Sequence, residues 1–123
     1  MPLIQITLTG PQAAPATIQR LQQEMTRLMA SILHKEATLT VVSVTQLPEG
    51  ACSANGQAVT TGASLQALIT AGTNSAAEKA AFIFAAKTLL TVTVGPFDAP
   101  LYVALHELPA ASWGYDGQTQ AAR

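Results

Sequence analysis

The sequence predicts an α+β fold built from two tandem β-α-β units, and three observations support this prediction. The chain opens with alternating apolar and polar residues from Leu3 to Thr9, the period of a half-buried β-strand. Apolar residues at helical spacing follow, and a segment rich in β-branched residues then marks a second strand. The second half repeats this order, so the 123 residues form a single domain with an internal repeat.

The repeat is visible at both ends of the two copies. The first copy spans residues 1–60 and the second copy spans residues 63–118. Their opening strands align loosely, with Leu3 against Leu65, and both copies end with a run from a Leu-Pro pair to a Gly-Gln pair. In this alignment, Ser64 of the second copy stands where the first copy has Pro2.

The first copy contains one helix between its two strands. Pro15 suits the first helical turn because its missing N–H has no partner there. The apolar stripe of this helix is Ile18, Leu21, Met25, Leu28, Met29 and Ile32. Arg20 and Glu24 lie one turn apart on the opposite face and are expected to pair weakly. A polar turn leads to the second strand, residues 40–45, and a hairpin or loop from Pro48 to Gly62 joins the halves.

The second copy follows the same plan. Its first strand is predicted near residues 64–70, and the run Thr73-Asn74-Ser75 offers N-cap oxygens to a helix that begins near Ala76. The pair Gly95-Pro96 ends this segment, and the fourth strand spans residues 101–107.

The second helix is apolar around most of its surface. Its predicted core arc is Phe82, Ile83, Ala85, Ala86, Leu89 and Leu90. The opposite arc holds Phe84 and several alanines, with Lys87 as its only charge. One interpretation is an exposed alanine-rich surface, since scattered exposed apolar residues are normal. The other is an additional contact surface between oligomers.

Composition excludes several classes of function. The formal net charge is -1 and 11% of residues are charged, so there is no electrostatic basis for binding nucleic acid or an anionic membrane. So few charges suggest that other subunits cover part of the surface. Cys52 is the only cysteine, which excludes a disulfide framework and a cysteine-based metal cluster. The most apolar run, Ala80 to Val94, is too short to span a bilayer, and without a basic-then-apolar leader we expect a cytoplasmic protein.

Pro2 is the residue that suggests chemistry. It follows Met1 directly, so removal of Met1 would make its nitrogen a secondary amine at the end of a rigid strand. With Met1 retained, the same nitrogen is an amide without basicity. Burial against apolar walls would lower the pKa of the free amine, because burial disfavours the charged ammonium form. The neutral amine would then act as a general base near neutral pH.

A doubled, proline-headed β-α-β unit with Ser112-Trp113-Gly114-Tyr115 after its last strand resembles the tautomerase superfamily. The first half is similar to one subunit of 4-oxalocrotonate tautomerase, and the whole chain is similar to fused, macrophage migration inhibitory factor-like members. The resemblance implies a four-stranded sheet with two antiparallel helices on one face. It further implies a homotrimeric barrel with active sites at the subunit boundaries, and keto-enol tautomerisation of a small 2-oxo acid without any cofactor or metal.

The resemblance also implies roles for individual residues. Pro2 is the general base, and Tyr102 from a neighbouring subunit hydrogen-bonds the substrate oxygen that gains charge. The predicted substrate-binding residues are Lys35, Trp113, Leu68 and His106. Lys35, in the first α-β turn, binds a carboxylate, Trp113 is the apolar wall that keeps Pro2 neutral, and His106 is a possible second acid.

Each of these assignments has a structural alternative. Lys35 is equally read as a solvated turn residue, and Tyr102 as a half-buried strand residue with its hydroxyl at the sheet edge. Trp113 would also serve as packing at a subunit interface. His106 is more simply a structural histidine, and Cys52, at the repeat position of Trp113, a small buried thiol rather than a nucleophile.

The chain departs from the bacterial isomerases of the superfamily in its missing arginines. Those enzymes place one arginine after the first strand and another in the second strand, where this chain has Pro11 or Gln12, and Val41. None of these binds a carboxylate, which counts against a dicarboxylate substrate and against halo-acid hydrolysis. The alternative function is therefore a non-enzymatic trimeric scaffold or small-molecule binder.

Overall fold

A computed structural model describes all residues from Met1 to Arg123. In chain order the strands and α-helices are β1 (Leu3–Thr9), α1 (Pro15–Leu33), β2 (Val41–Leu47), β3 (Ser53–Ala54), β4 (Gln57–Ala58), β5 (Gly62–Thr70), α2 (Ala76–Val94), β6 (Tyr102–Leu108), β7 (Gly114–Tyr115) and β8 (Gln118–Thr119). Two short 3-10 helices, Ala37–Leu39 and Gln120–Ala122, complete the chain. The predicted α+β fold with a four-stranded sheet and two helices is confirmed.

The main sheet has the strand order β2-β1-β5-β6, and β3–β4 and β7–β8 are separate hairpins. β1 is parallel to β2 and antiparallel to β5, and β5 is parallel to β6. Each helix connects two parallel strands, so the two helices run antiparallel and pack side by side on one face of the sheet. The core between sheet and helices is Ile4, Ile6, Leu8, Leu21, Met25, Met29, Leu33, Leu65, Ala67, Ile69, Phe82, Ala86 and Leu90.

The two halves are related by a constant offset of 61 residues. Both helix ends show it, from Pro15 to Ala76 and from Leu33 to Val94, and so do both hairpins. Each hairpin turns on two residues with positive φ, Asn55-Gly56 in the first copy and Asp116-Gly117 in the second. Two-residue hairpins favour positive φ at both turn residues, because the backbone twist of such a turn matches that of the flanking strands.

The alignment of Leu3 with Leu65 is wrong by one residue. Leu65 is buried under the helices, whereas Leu3 is half-buried on the opposite face of the sheet, next to its buried neighbour Ile4. Successive strand residues point to opposite faces, so a slip of one residue exchanges the two faces. At the observed offset the counterpart of Pro2 is Ala63, not Ser64.

Two side-chain predictions for the helices are also wrong. Glu24 forms its ion pair with Arg27 and not with Arg20. On α2 the buried residues are Phe82, Ala86 and Leu90. Ile83 is 40% exposed because it lies about a quarter-turn around the helix axis from Phe82. No helix in this chain combines the length and the apolar character needed to cross a membrane.

Candidate active site

Pro2 is held at the start of β1 and its side chain is fully buried. Its carbonyl oxygen accepts a hydrogen bond from the N–H of Val41 at 3.3 Å, which ties the residue to the beginning of β2. The next residue, Leu3, is paired on its other side with Leu68 of β5. Both neighbouring strands therefore fix the chain around Pro2, so the nitrogen of this residue has a defined position.

Lys35 lies beside this end of the sheet because α1 ends just before it. His34 closes the helix in the left-handed conformation, with φ of 58°. The half-buried Lys35 then directs its ammonium group towards the loop before α2, where Nζ donates to Thr73 Oγ1 at 2.7 Å. Thr73 Oγ1 in turn donates to the Thr70 carbonyl oxygen at 2.6 Å. The sequence predicts Lys35 in this turn, and the hydrogen bonds give its side chain a fixed orientation.

Trp113 is joined to the same loop through Thr70. Its Nε1–H donates to Thr70 Oγ1 at 3.1 Å, and Thr70 is a buried residue at the end of β5. Hydrogen bonds thus run from Lys35 through Thr73 and Thr70 to the indole ring. The sequence analysis assigned no site role to either threonine.

Thr73 was considered only as one of three possible N-cap residues. The structure divides these tasks: Ser75 caps α2 by accepting from the N–H of Glu78, whose side chain accepts from the N–H of Ser75. Asn74 Nδ2 donates to the Leu33 carbonyl oxygen at 3.0 Å and joins the loop to the end of α1. The only sequence signal for another role is that three adjacent residues are all suited to cap the helix. One side chain is enough for the cap, so the other two are available for other contacts.

The amino terminus lies in an environment that favours the neutral amine. Burial, and next the positive charge of Lys35, lower the pKa of the Met1 amine, while Glu36 acts in the opposite direction. Burial is also the main cause that lowers the pKa of Lys35, opposed by the carboxylates of Glu78 and Glu107. The site therefore combines a partly desolvated amine with a partly desolvated lysine.

Acidic groups surround Lys35 without binding it directly. Glu107 of β6 accepts from Lys79 Nζ at 2.8 Å, and Glu78 lies 3.1 Å from His34 Nε2. Because both carboxylates have other partners, the Lys35 ammonium keeps donors available for a ligand. Lys35 Nζ has one hydrogen bond, to Thr73, and an ammonium carries three donors.

The strand register separates the remaining predicted site residues. Leu68 pairs with Leu3 on one side and with His106 on the other, so all three lie in one row at the Pro2 end of the sheet. The exposed His106 makes no hydrogen bond within the chain. Tyr102 pairs with Ser64, four residues along the strands towards the other end, and is 75% exposed. One chain alone does not bring Tyr102 to Pro2.

Two cavities lie at the end of the sheet opposite Pro2. One, of about 380 Å³, is lined by Tyr102 and Cys52, and the other has a volume of about 480 Å³. Cys52 is half-buried, with its Sγ atom 3.1 Å from Thr9 Oγ1. No group of three His, Cys, Asp or Glu side chains is arranged to hold a metal ion. Pro2 lines neither cavity.

No protein-family model and no curated protein matches this chain. Solved structures do match it over nearly the full length. Pt0534 inactivated by 2-oxo-3-pentynoate has a TM-score of 0.88 and 21% identity, with 98% of this chain and 97% of that chain covered. A fused 4-OT, a symmetric trimer, has a TM-score of 0.86 and 16% identity, with 98% and 97% covered. A macrophage migration inhibitory factor-like protein from Entamoeba histolytica has a TM-score of 0.79 and 19% identity, with 96% and 97% covered.

These comparisons establish the fold of the chain. All three structures are tautomerase-superfamily proteins, and the likeness spans both β-α-β units. The chain therefore has the tautomerase fold.

Proposed function

We propose that this chain, which has the tautomerase fold, is a cofactor-independent tautomerase that uses Pro2 as its general base. The observation that supports this most strongly is the position of Pro2, which is fully buried at the start of β1 and follows the Met1 amine, whose pKa is lowered by burial and by Lys35. A buried amine next to a cation is less readily protonated than one in water. We expect the protein to act in the cytoplasm, in keeping with its single cysteine.

The proposed reaction is a proton transfer within a 2-oxo acid or its enol. After removal of Met1, the neutral Pro2 nitrogen accepts the enol proton and delivers a proton to the adjacent carbon, which leaves the ketone and regenerates the amine. Lys35 binds the substrate carboxylate, and Trp113 and Leu68 form apolar walls. Tyr102 from a neighbouring subunit donates a hydrogen bond to the oxygen on which charge develops.

The site is proposed to be completed by assembly into a homotrimer. Fused 4-OT proteins of this fold form trimers. In this chain the sheet face that the helices leave uncovered carries partly exposed apolar side chains, among them Leu3, Leu68 and Leu108. Burying that face would remove apolar surface from water and bring Tyr102 of one chain towards Pro2 of another.

The proposed substrate carries one carboxylate. Lys35 is the cation beside the amino terminus, and Val41, which stands where related isomerases have an arginine, offers an apolar surface that is 58% exposed. A site with one cation and apolar walls fits a monocarboxylic, aryl-substituted 2-oxo acid better than a dicarboxylate.

Replacement of the base tests the proposal. Pro2→Ala should reduce kcat/KM for ketonisation of phenylenolpyruvate by roughly a hundred- to ten-thousand-fold, which is the usual contribution of a positioned general base. The matched control is Pro48→Ala in the exposed loop after β2, which should retain the wild-type rate. Intact-mass analysis of each sample must confirm that Met1 is absent. Equal rates for the wild type and Pro2→Ala would refute the proposal.

The second candidate is a trimeric scaffold or small-molecule binder that keeps the fold without the chemistry. It is favoured by the exposed apolar surface of α2, where Phe84 is 73% exposed and Val92 is 79% exposed. Under this alternative Met1 is retained in the cell, because a protein without the tautomerase chemistry does not need a basic amine at Pro2. The intact mass of the natural protein distinguishes the two candidates.

A further inference from the structure

The cavity of about 480 Å³ lies between the start of α1 and the end of α2, at the end of the sheet opposite Pro2. Its volume is within the range of about 300–1,000 Å³ that small-molecule sites occupy. Apolar walls come from Leu8, Val94 and Phe97. The first question is how this cavity relates to the Pro2 site.

The 61-residue offset relates part of this cavity to residues around the Pro2 site, although Ala63 and Cys52, the counterparts of Pro2 and Trp113, line the other cavity. Four lining residues and their counterparts are Pro96 with Lys35, Thr17 with Glu78, Gln46 with Glu107 and Thr9 with Thr70. In each of the first three pairs an ionisable residue of the first copy is replaced by a neutral one. Where the first copy has these charged residues, the cavity therefore has uncharged ones.

The lack of charged residues in the cavity disfavours the anionic ligands that Lys35 would bind. None of its 13 lining residues is ionisable. Next to the lining residue Phe97, the Asp98 carboxylate accepts hydrogen bonds from Thr60 and from the backbone N–H of Thr61, which lower its pKa to about 2. An anionic ligand would thus meet no cation among the lining residues, while Asp98 lies beside the cavity and Arg20 lines an adjoining groove that shares Thr17 and Thr93 with it.

Polar groups without partners face this neutral cavity. The hydroxyls of Thr17 and Thr93 make no hydrogen bond within the chain. Gln46 Oε1 accepts from the N–H of Ala13 at 3.2 Å, which fixes the side-chain amide and leaves its two N–H donors unpaired. Such donors and hydroxyls hydrogen-bond uncharged hydroxyl or carbonyl groups. Ala63, the counterpart of Pro2, lines the other cavity, and none of the residues that line this cavity offers a base for proton transfer.

We infer that this cavity is a second binding site, one that takes a small uncharged molecule with an apolar body and a hydroxyl or carbonyl group. It binds its ligand without converting it. The inference rests on the cavity and on the repeat, and it is independent of whether Pro2 is a catalyst.

Phenol, with benzoate as its charged analogue, tests this inference by two-dimensional 15N NMR. Phenol should shift the signals of Gln46, Val94 and Phe97 in a saturable manner, and benzoate at the same concentration should leave them unchanged. Thr17→Trp fills the cavity and should weaken phenol binding at least about tenfold, as expected when most apolar contact is lost. Gln19→Trp, on the exposed side of the same helix, is the matched control and should bind phenol like the wild type.

A third variant keeps the test decisive if Thr17→Trp does not fold. Thr17→Lys gives the cavity a cation and should create benzoate binding at the same three signals. Absence of phenol-induced shifts at these residues in the wild type would overturn the inference. So would equal shifts by benzoate and phenol, or phenol binding that Thr17→Trp leaves unchanged in a folded protein.

Discussion

Thr73 is the residue that gives Lys35 its direction. Its hydroxyl accepts from Lys35 Nζ and donates to the Thr70 carbonyl oxygen, so the lysine is tied to the end of β5. Lys35 itself was predicted from the resemblance, which fixes a position in the chain. The role of Thr73 was not predicted, because its hydrogen-bond partner Lys35 is 38 residues away in the sequence and only the fold brings the two together.

Removal of the Thr73 hydroxyl should therefore weaken substrate binding more than proton transfer. For Thr73→Val we expect KM for phenylenolpyruvate to rise several-fold to about tenfold, since a hydrogen bond typically contributes about 0.5–1.5 kcal/mol. kcat should change less, because Pro2 is not altered. Steady-state kinetics measure both values.

The control for this variant is Thr88→Val on α2. Thr88 Oγ1 donates to the Phe84 carbonyl oxygen and has no contact with a charged group. Its loss should leave KM unchanged. If Thr73→Val also retains the wild-type KM, Lys35 is not the carboxylate-binding group that we propose.

At the scale of elements, periodicity predicted most of the fold. Both helices and all four long strands lie where the sequence pattern placed them, because period 2 and period 3.6 are set by backbone geometry. The alignment of the opening strands failed, since Leu3 and Leu65 are equally apolar and residue type alone does not identify the buried face. The prediction that Ile83 is part of the core failed for a related reason, because a helix that is apolar on all sides has no polar face to indicate its orientation.

The two helices differ at the cap, and the repeat makes this a matched experiment. Ser75 caps α2 with its side chain, whereas its counterpart Ala14 leaves α1 without a side-chain cap. Ser75→Ala should lower the free energy of unfolding by about 1 kcal/mol, and Ala14→Ser should raise it by up to about 1 kcal/mol. Urea denaturation at equal protein concentration measures both. Changes of the same sign would contradict the capping argument.

At the scale of the whole molecule, the repeat produces two unlike ends of one sheet. The end that holds Pro2 also holds Lys35 and Trp113, while Tyr102 and the uncharged cavity lie at the other end. Composition predicted an assembly because so few residues are charged, but it gave no information on which face is covered. The register shows that Tyr102 and Pro2 lie towards opposite ends of the sheet within one chain.

A shared active site predicts that two defective variants restore each other. Pro2→Ala lacks the base and Tyr102→Phe lacks the hydroxyl, so each homotrimer should have low activity. In co-expressed mixed trimers, random assortment gives about a quarter of the sites both native groups, and activity should recover to about that fraction. If one chain supplies both groups, the mixture shows only the average of the two variants.

The central claim is that Pro2 is a free amine with a lowered pKa, and 15N NMR of proline-labelled protein tests it most directly. We predict one titrating proline nitrogen, with a pKa below that of a peptide that begins at Pro2, because burial and Lys35 lower the pKa of an amine at this terminus. The neutral fraction, and with it the rate, would then rise as the pH passes through this lowered pKa. The absence of a titrating proline nitrogen, or a pKa equal to that of the peptide, would contradict the account.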